Sequence, residues 1–270
     1  MRRIWRGLGV WGLALFAVSP AIHGQEPGQT RKIVEQAVRT ELAADGADHS
    51  HWIYFEIDRK PGDTVEQWVA ETNKGDLNRV LKENGQQLST NEQQSRMDSY
   101  AGNPVAQAKQ HKSDRHDDQQ ARQMLSMLPQ AFIWTKLGDR NGRTELHFAP
   151  DPRFHPPSYE ARVFAAMEGT MTVDDAQHRI ASLRGRMIHD VKFGFGLLGD
   201  LRAGGSFDVE RRETGNGVWQ ITETHIHVAG RALLFKSISD QEDDVKSKFK
   251  EIPQNLPIKK AEKLLMAQNT

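Results

Sequence analysis

Phe132-Ile133-Trp134-Thr135-Lys136-Leu137 is followed by Asp139-Arg140-Asn141-Gly142 and then by Arg143 to Ala149. Two runs of alternating apolar and polar residues flank an Asn-Gly dipeptide. That arrangement predicts a β-hairpin, because Asn and Gly accept the positive φ a two-residue turn demands. Phe132 and Trp134 then share a face. Downstream, further strands are expected over 163–173, 177–183, 187–193, 207–212, 217–228 and 231–239, most of them separated by Gly, Asn or Asp.

Upstream the same period returns. In His51 to Asp58, Ile53, Phe55 and Ile57 alternate with Tyr54, Glu56 and Asp58; 65–71 and 77–83 continue the meander across Asn73-Lys74-Gly75-Asp76. Three early and eight later strands make eleven. Before them, Thr30 caps a helix to about Ala44 whose stripe is Ile33, Val34, Ala37, Val38 and Leu42. At the other end, Asp240 to Lys250 reads as a solvated loop, and Pro257 opens a last helix with Ile258, Ala261, Leu264 and Leu265 on one face. No βαβ alternation occurs, so the expected class is α+β and β-rich: one curved antiparallel sheet forming a half-open barrel packed on helices.

Between the two strand blocks the composition changes. From Lys82 to Arg122 only eight of 41 residues are apolar, while eight are Gln. This polar excursion (about 84–128) reads as two helices broken at Gly102-Asn103-Pro104, the second ending on a stripe of Ala121, Met124, Leu125 and Leu128. Either it is a solvated insertion, or it is a lid over a cavity.

Residues 1–24 read as a signal peptide rather than as part of the fold. Arg2, Arg3 and Arg6 precede an uncharged apolar run, Leu8 to Val18, too short for a membrane span, with cleavage expected after Ala21 or Gly24. The remainder, 25–270, reads as a single β-rich domain in the periplasm or another extracytoplasmic space, without a transmembrane span, as a monomer. Loss of three arginines turns the balance of 36 basic and 36 acidic residues into a net charge of −3, which argues against a nucleic-acid partner. With no Cys, disulfides, thiolate zinc sites and thiol nucleophiles are excluded. The mean hydropathy of −0.67 is low in part because of the Gln-rich excursion.

The order of helix, meander, helical interruption and long antiparallel run resembles the LolA-like periplasmic lipoprotein carriers. Leu146-His147-Phe148-Ala149-Pro150, Gly169-Thr170-Met171-Thr172-Val173-Asp174 leading to His178-Arg179-Ile180, and Gly217-Val218-Trp219 are similar to segments of outer-membrane lipoprotein-sorting proteins. The resemblance spans roughly 30–240. It implies an eleven-stranded half-open barrel with a helical lid over an apolar cavity, and a lipid or lipidated protein as partner. The long excursion and the larger chain depart from a minimal carrier. Trp68, Phe132, Trp134, Trp219 and Phe235 are the candidate cavity lining; each also reads as core packing.

Other motifs carry less. Gly194-Phe195-Gly196-Leu197-Leu198-Gly199 has the spacing of a dinucleotide fingerprint, but Gly204-Gly205 follows where a helix should run, so a bend between strands and no cofactor are expected. Glu223, His225 and His227 share a strand face by period two and offer a divalent-metal set, with His147 or His189 as a further ligand. Neighbours two apart lie nearly 7 Å from each other, so convergence needs another strand. No G-x-S-x-G elbow and no H-E-x-x-H helix appears, and the expectation is a binding protein rather than an enzyme. A ligand-free envelope scaffold and a metal-dependent hydrolase built on the His-x-His strand are the alternatives.

Overall fold

The computed structural model describes residues 27–193, 199–228, 230–232 and 241–269. Residues 1–24, expected to be a signal peptide, Gly194 to Leu198 and Phe235 lie outside the described residues. In chain order the elements are α1 (Pro27–Ala47), β1 (His51–Lys60), β2 (Asp63–Ala70), β3 (Leu77–Glu83), β4 (Gln86–Gln87), α2 (Thr90–Ala101), α3 (Pro104–Ala131), β5 (Phe132–Arg140) and β6 (Arg143–Pro150). A 3-10 helix (Glu160–Ala166) precedes β7 (Met167–Asp174), β8 (Ile180–Met187), β9 (Val191–Phe193), β10 (Gly199–Leu201), β11 (Ser206–Gly215), β12 (Val218–His227), β13 (Gly230–Ala232), β14 (Gln241–Ile252) and α4 (Ile258–Met266).

Eleven strands form one open, curved antiparallel sheet in the order β4-β3-β2-β1-β14-β12-β11-β8-β7-β6-β5. The chain is thus α+β and β-rich, two meanders joined through β14. Three hairpins, β3–β4, β5–β6 and β11–β12, turn on Asn84-Gly85, Asn141-Gly142 and Asn216-Gly217, with both central residues at positive φ. These are the type I′ turns whose twist matches that of the flanking strands.

The count of eleven is met with a partly different set of strands. The stretch expected as a loop, Asp240 to Lys250, is strand from Gln241 onward, Asp240 lying outside the described residues: β14 pairs with β1 on one side and β12 on the other. Its charges find partners on the same and adjacent strands. Lys246 lies 3.2 Å from Asp244 and 3.5 Å from Glu56, and Lys60 lies 3.3 Å from Glu242, so a charged strand is accepted in mid-sheet. The start of 163–173 is 3-10 helix rather than strand. Among the described residues, the segments 187–193 and 231–239 contribute β9 and β13, which flank β10 in a separate three-stranded sheet; 233–239 lie outside the described residues.

Helices cover both faces. α1, the end of α3 and the 3-10 helix close the main core over β5–β8, with Val34, Ala37, Leu128, Phe132, Trp134, Leu146, Phe148 and Met171 buried. On the other face, at the β1–β3 end, α2 and α4 bury Ile53, Trp68, Leu77, Met97 and Leu265. The polar excursion is α2 and α3, broken where Asn103 caps α3 through its side chain. At its start α3 is tied down by Gln107 Nε2, which donates to Tyr100 O and Ala101 O. From 108 to 123 none of its side chains is fully buried. A helix anchored at its ends and wet in between is a bridge, not a core element.

Candidate binding cleft

The stripe of α1 does two jobs along its length. Val34, Ala37 and Val38 pack into the core, and the next positions on that face, Glu41 and Leu42, line a cleft. Opposite them α3 presents Ala121, Leu125 and Leu128 at helical spacing. Ile180, Leu183, Val209, Val218, Trp219 and Ile221 from β8, β11 and β12 form the other wall. The cleft measures about 820 Å³, within the range of small-molecule sites. At the rim Arg122 of α3 pairs with Asp45 of α1 at 2.5 Å, so one ion pair ties the two helices together. Asp118 stands beside it, its carboxyl raised above the ordinary range by burial and then by the charge of Asp45.

The most buried polar wall is a cluster of three charges. Glu41 Oε2 accepts from Arg179 Nη2 at 2.9 Å, its Oε1 lies 2.6 Å from Arg211 Nη1, and Ile180 N donates to Oε1 at 2.7 Å. Burial opposes ionisation of Glu41, but the hydrogen bond from Arg179, the charge and hydrogen bond of Arg211 and the Ile180 N–H outweigh it and lower its pKa. Glu41 and Arg179 are 5 % and 8 % exposed. The Nε of Arg179 has no acceptor among the described residues.

Of the residues expected to line a cavity, Trp219 does so: its Nε1 donates to Gln177 Oε1 at 2.9 Å and its ring faces Arg179. Phe132 and Trp134 are instead core residues. Their rings pack edge-on against each other and tilted against Phe148, at centroid distances of 4.7–5.8 Å, and Trp134 Nε1 donates to Leu128 O. Trp68 is buried on the other face of the sheet, edge-on to Phe55. Phe235 lies outside the described residues.

Glu223, His225 and His227 do not join the cleft, and the reason is one residue. Arg211 pairs with Ile221, but Glu210 pairs with Glu223, which leaves Thr222 as an extra residue in β12. This β-bulge inverts the alternation: Trp219 and Ile221 face the cleft with Val209 and Arg211, whereas Glu223, His225 and His227 turn to the opposite face. There Asp243 Oδ1 meets His225 Nδ1 at 2.6 Å and His227 Nε2 at 3.3 Å, and Glu223 accepts from Arg212. No group of three or more His, Asp or Glu arranged to hold a metal ion occurs among the described residues. The glycine fingerprint ends at Gly199, which opens strand β10 and not a helix.

Glu41 and Arg211 went unnoticed in the sequence although each leaves a mark. Glu41 interrupts the apolar face of α1 between Val38 and Leu42, and Arg211 continues the alternation Phe207, Val209. A charge on an apolar face is a buried charge awaiting a partner.

A second set of ionisable groups sets the pH response. Burial, then Asp76, raises Glu71 to about 7; burial, then Asp114 of α3, raises Asp76 to about 6; burial, against the pull of Lys246 and with the push of Glu56, raises Asp244 to about 6. Carboxyls with raised native pKa values bind more protons folded than unfolded between about pH 4 and pH 7, so stability falls as pH rises through that window. Glu41, with a lowered pKa, has the opposite sign and loses its contribution only below its ordinary value of 4.5. Thermal melts are therefore expected to rise from about pH 8 to about pH 5 and to fall again below about pH 4. A melting temperature flat from about pH 8 to about pH 5 contradicts this assignment.

No protein-family model, no curated protein and no solved structure matches the chain. Among the described residues no helix is long and apolar enough to cross a membrane.

Proposed function

We propose that the chain is an extracytoplasmic carrier or binding protein of LolA-like architecture, which holds an acyl-bearing or other apolar ligand in the cleft beneath α1 and α3. The observation that supports this most is the cleft itself: about 820 Å³ walled chiefly by Leu, Ile, Val, Ala and Trp side chains. Water in such a space gains little from its walls, whereas each methylene transferred into it is worth about 0.8 kcal/mol. In this reading α3 is the cover. It is secured at both ends, carries few apolar contacts along its middle, and is tied to α1 across the rim by the exposed Asp45–Arg122 pair. An exposed pair of this kind contributes about 0–1 kcal/mol, weak enough to open and close. The basic and apolar leader of residues 1–24 supports export, and binding rather than catalysis is the proposed role.

Native mass spectrometry of protein purified from its own host, followed by organic extraction, tests the reading. A co-purifying species of acyl-chain mass that extraction removes is expected. Protein that is empty, and that stays empty when exposed to lipid extract, overturns it.

A further inference from the structure

The cleft is apolar along most of its wall, yet its most buried charges do not balance. Arg179 and Arg211 face a single carboxylate, Glu41. The guanidinium donors left over are poorly served. Arg211 Nη1 reaches Ile180 O and Arg211 Nη2 reaches Trp219 O only at 3.3 Å, Arg179 Nη1 reaches Gly217 O at 3.5 Å, and Arg179 Nε, in a side chain 9 % exposed, has no acceptor among the described residues. Good N–H···O bonds are shorter, and those to anions shorter still. A cation in surplus beside an apolar wall, with donors unsatisfied, is a site for an anion attached to an apolar body.

The groups at the rim fix the ligand's direction. Asp45, Asp48 and Asp118 stand there with Arg122, an acidic collar that disfavours an anionic head at the mouth. Of the two arginines on Glu41, Arg211, whose side chain is 19 % exposed and lines the cleft, is the one more open to a ligand.

On the strength of the carrier reading, we infer that the ligand is an anionic amphiphile: its carboxylate, phosphate or sulfate head pairs with Arg211 beside Arg179, and its acyl chain lies along Leu42, Leu125, Leu183 and Val209. Glu41 is the positioning residue. It holds both guanidiniums without neutralising them.

The test is displacement of N-phenyl-1-naphthylamine, a neutral apolar fluorophore, from the full-length mature protein. Four sixteen-carbon competitors are compared below their micelle concentrations: palmitate, hexadecyl sulfate, hexadecanol and hexadecyltrimethylammonium. Palmitate and hexadecyl sulfate are expected to displace the probe at concentrations about tenfold or more below the other two. In Arg211→Gln the ratio between the anionic competitors and hexadecanol should collapse towards one, whatever the variant's affinity for the probe. Arg211→Lys, which keeps a charge, should retain part of the advantage. Equal displacement by hexadecanol, or preference for the ammonium compound, overturns the inference and leaves the carrier reading standing, since the probe binds. An anionic advantage that persists in Arg211→Gln overturns it as well. Failure of the wild-type protein to bind the probe overturns the carrier reading and this inference with it. The headgroup series is run on the unaltered protein, so a poorly folded variant does not prevent it from supporting or overturning the inference.

Discussion

Glu41→Ala is expected to be among the most destabilising substitutions in the chain. It removes the carboxylate from between Arg179 and Arg211 and strips the Ile180 amide of its acceptor. Breaking a buried pair by deleting one partner costs about 3–5 kcal/mol, because the remaining charge stays desolvated. Arg211 is partly solvated, which places the expected loss near the lower end, about 3 kcal/mol. For a chain of this size that corresponds to a fall in melting temperature of roughly 10 °C. Replacing Glu41, Arg179 and Arg211 together by Met should cost far less than Glu41→Ala alone, since no charge is then left buried. Differential scanning calorimetry of the two variants decides the matter. A Glu41→Ala protein as stable as the parent contradicts the buried cluster, and so does a triple variant less stable than the single one.

Gly169→Ala is the second large expected loss, and its cause is steric. Across the sheet the paired residues Phe148, Gly169, Gly185 and Phe207 form one row. A Cβ on Gly169 would stand 1.9 Å from Arg184 O, 2.6 Å from Gly185 Cα and 2.8 Å from Phe148 Cζ. Two of these neighbours are backbone of the adjacent strand and cannot turn aside. Accommodation requires β7 and β8 to separate where Phe148 and Phe207 lie over the glycines, at a cost of about 3 kcal/mol or more. Gly138→Ala in β5 is the control, because an added methyl there meets nothing within 4 Å. It should be neutral or stabilising by about 0.4–1 kcal/mol through the unfolded chain. Equal urea midpoints for the two variants would contradict the close approach of β7 to β8.

What the sequence discloses about this fold follows from where each signal resides. Asn141-Gly142 and the alternation on either side of it are local, so the β5–β6 hairpin can be read directly. The break at Gly102-Asn103-Pro104 is equally local, and α2 and α3 fall on either side of it. β14 escapes because its partners are distant. Gln241-Glu242-Asp243-Asp244 looks like a solvated loop until β1 brings Glu56 and Lys60 beside it. The site is hidden for a similar reason. Trp219 and His225 obey the same period-two spacing, and only the register against β11 shows that Thr222 is extra and that they point to opposite faces. Phe132 and Trp134 share a face, as their spacing requires, but that face is filled by Phe148 and Phe164. Alternation reports a face and does not report whether the face is packed or left open.

Fluorescence titration of N-phenyl-1-naphthylamine into the wild-type protein and into Ala121→Trp shows whether the cleft between α1 and α3 holds an apolar ligand. Ala121 is exposed on α3 and lines the cleft, so an indole there fills the space without disturbing the core beneath. Saturable binding of about one probe per chain is expected in the wild type, with a loss of about tenfold or more in affinity in Ala121→Trp at unchanged melting temperature. Absence of binding in the wild type, or the same affinity in both proteins, would contradict a ligand held between α1 and α3.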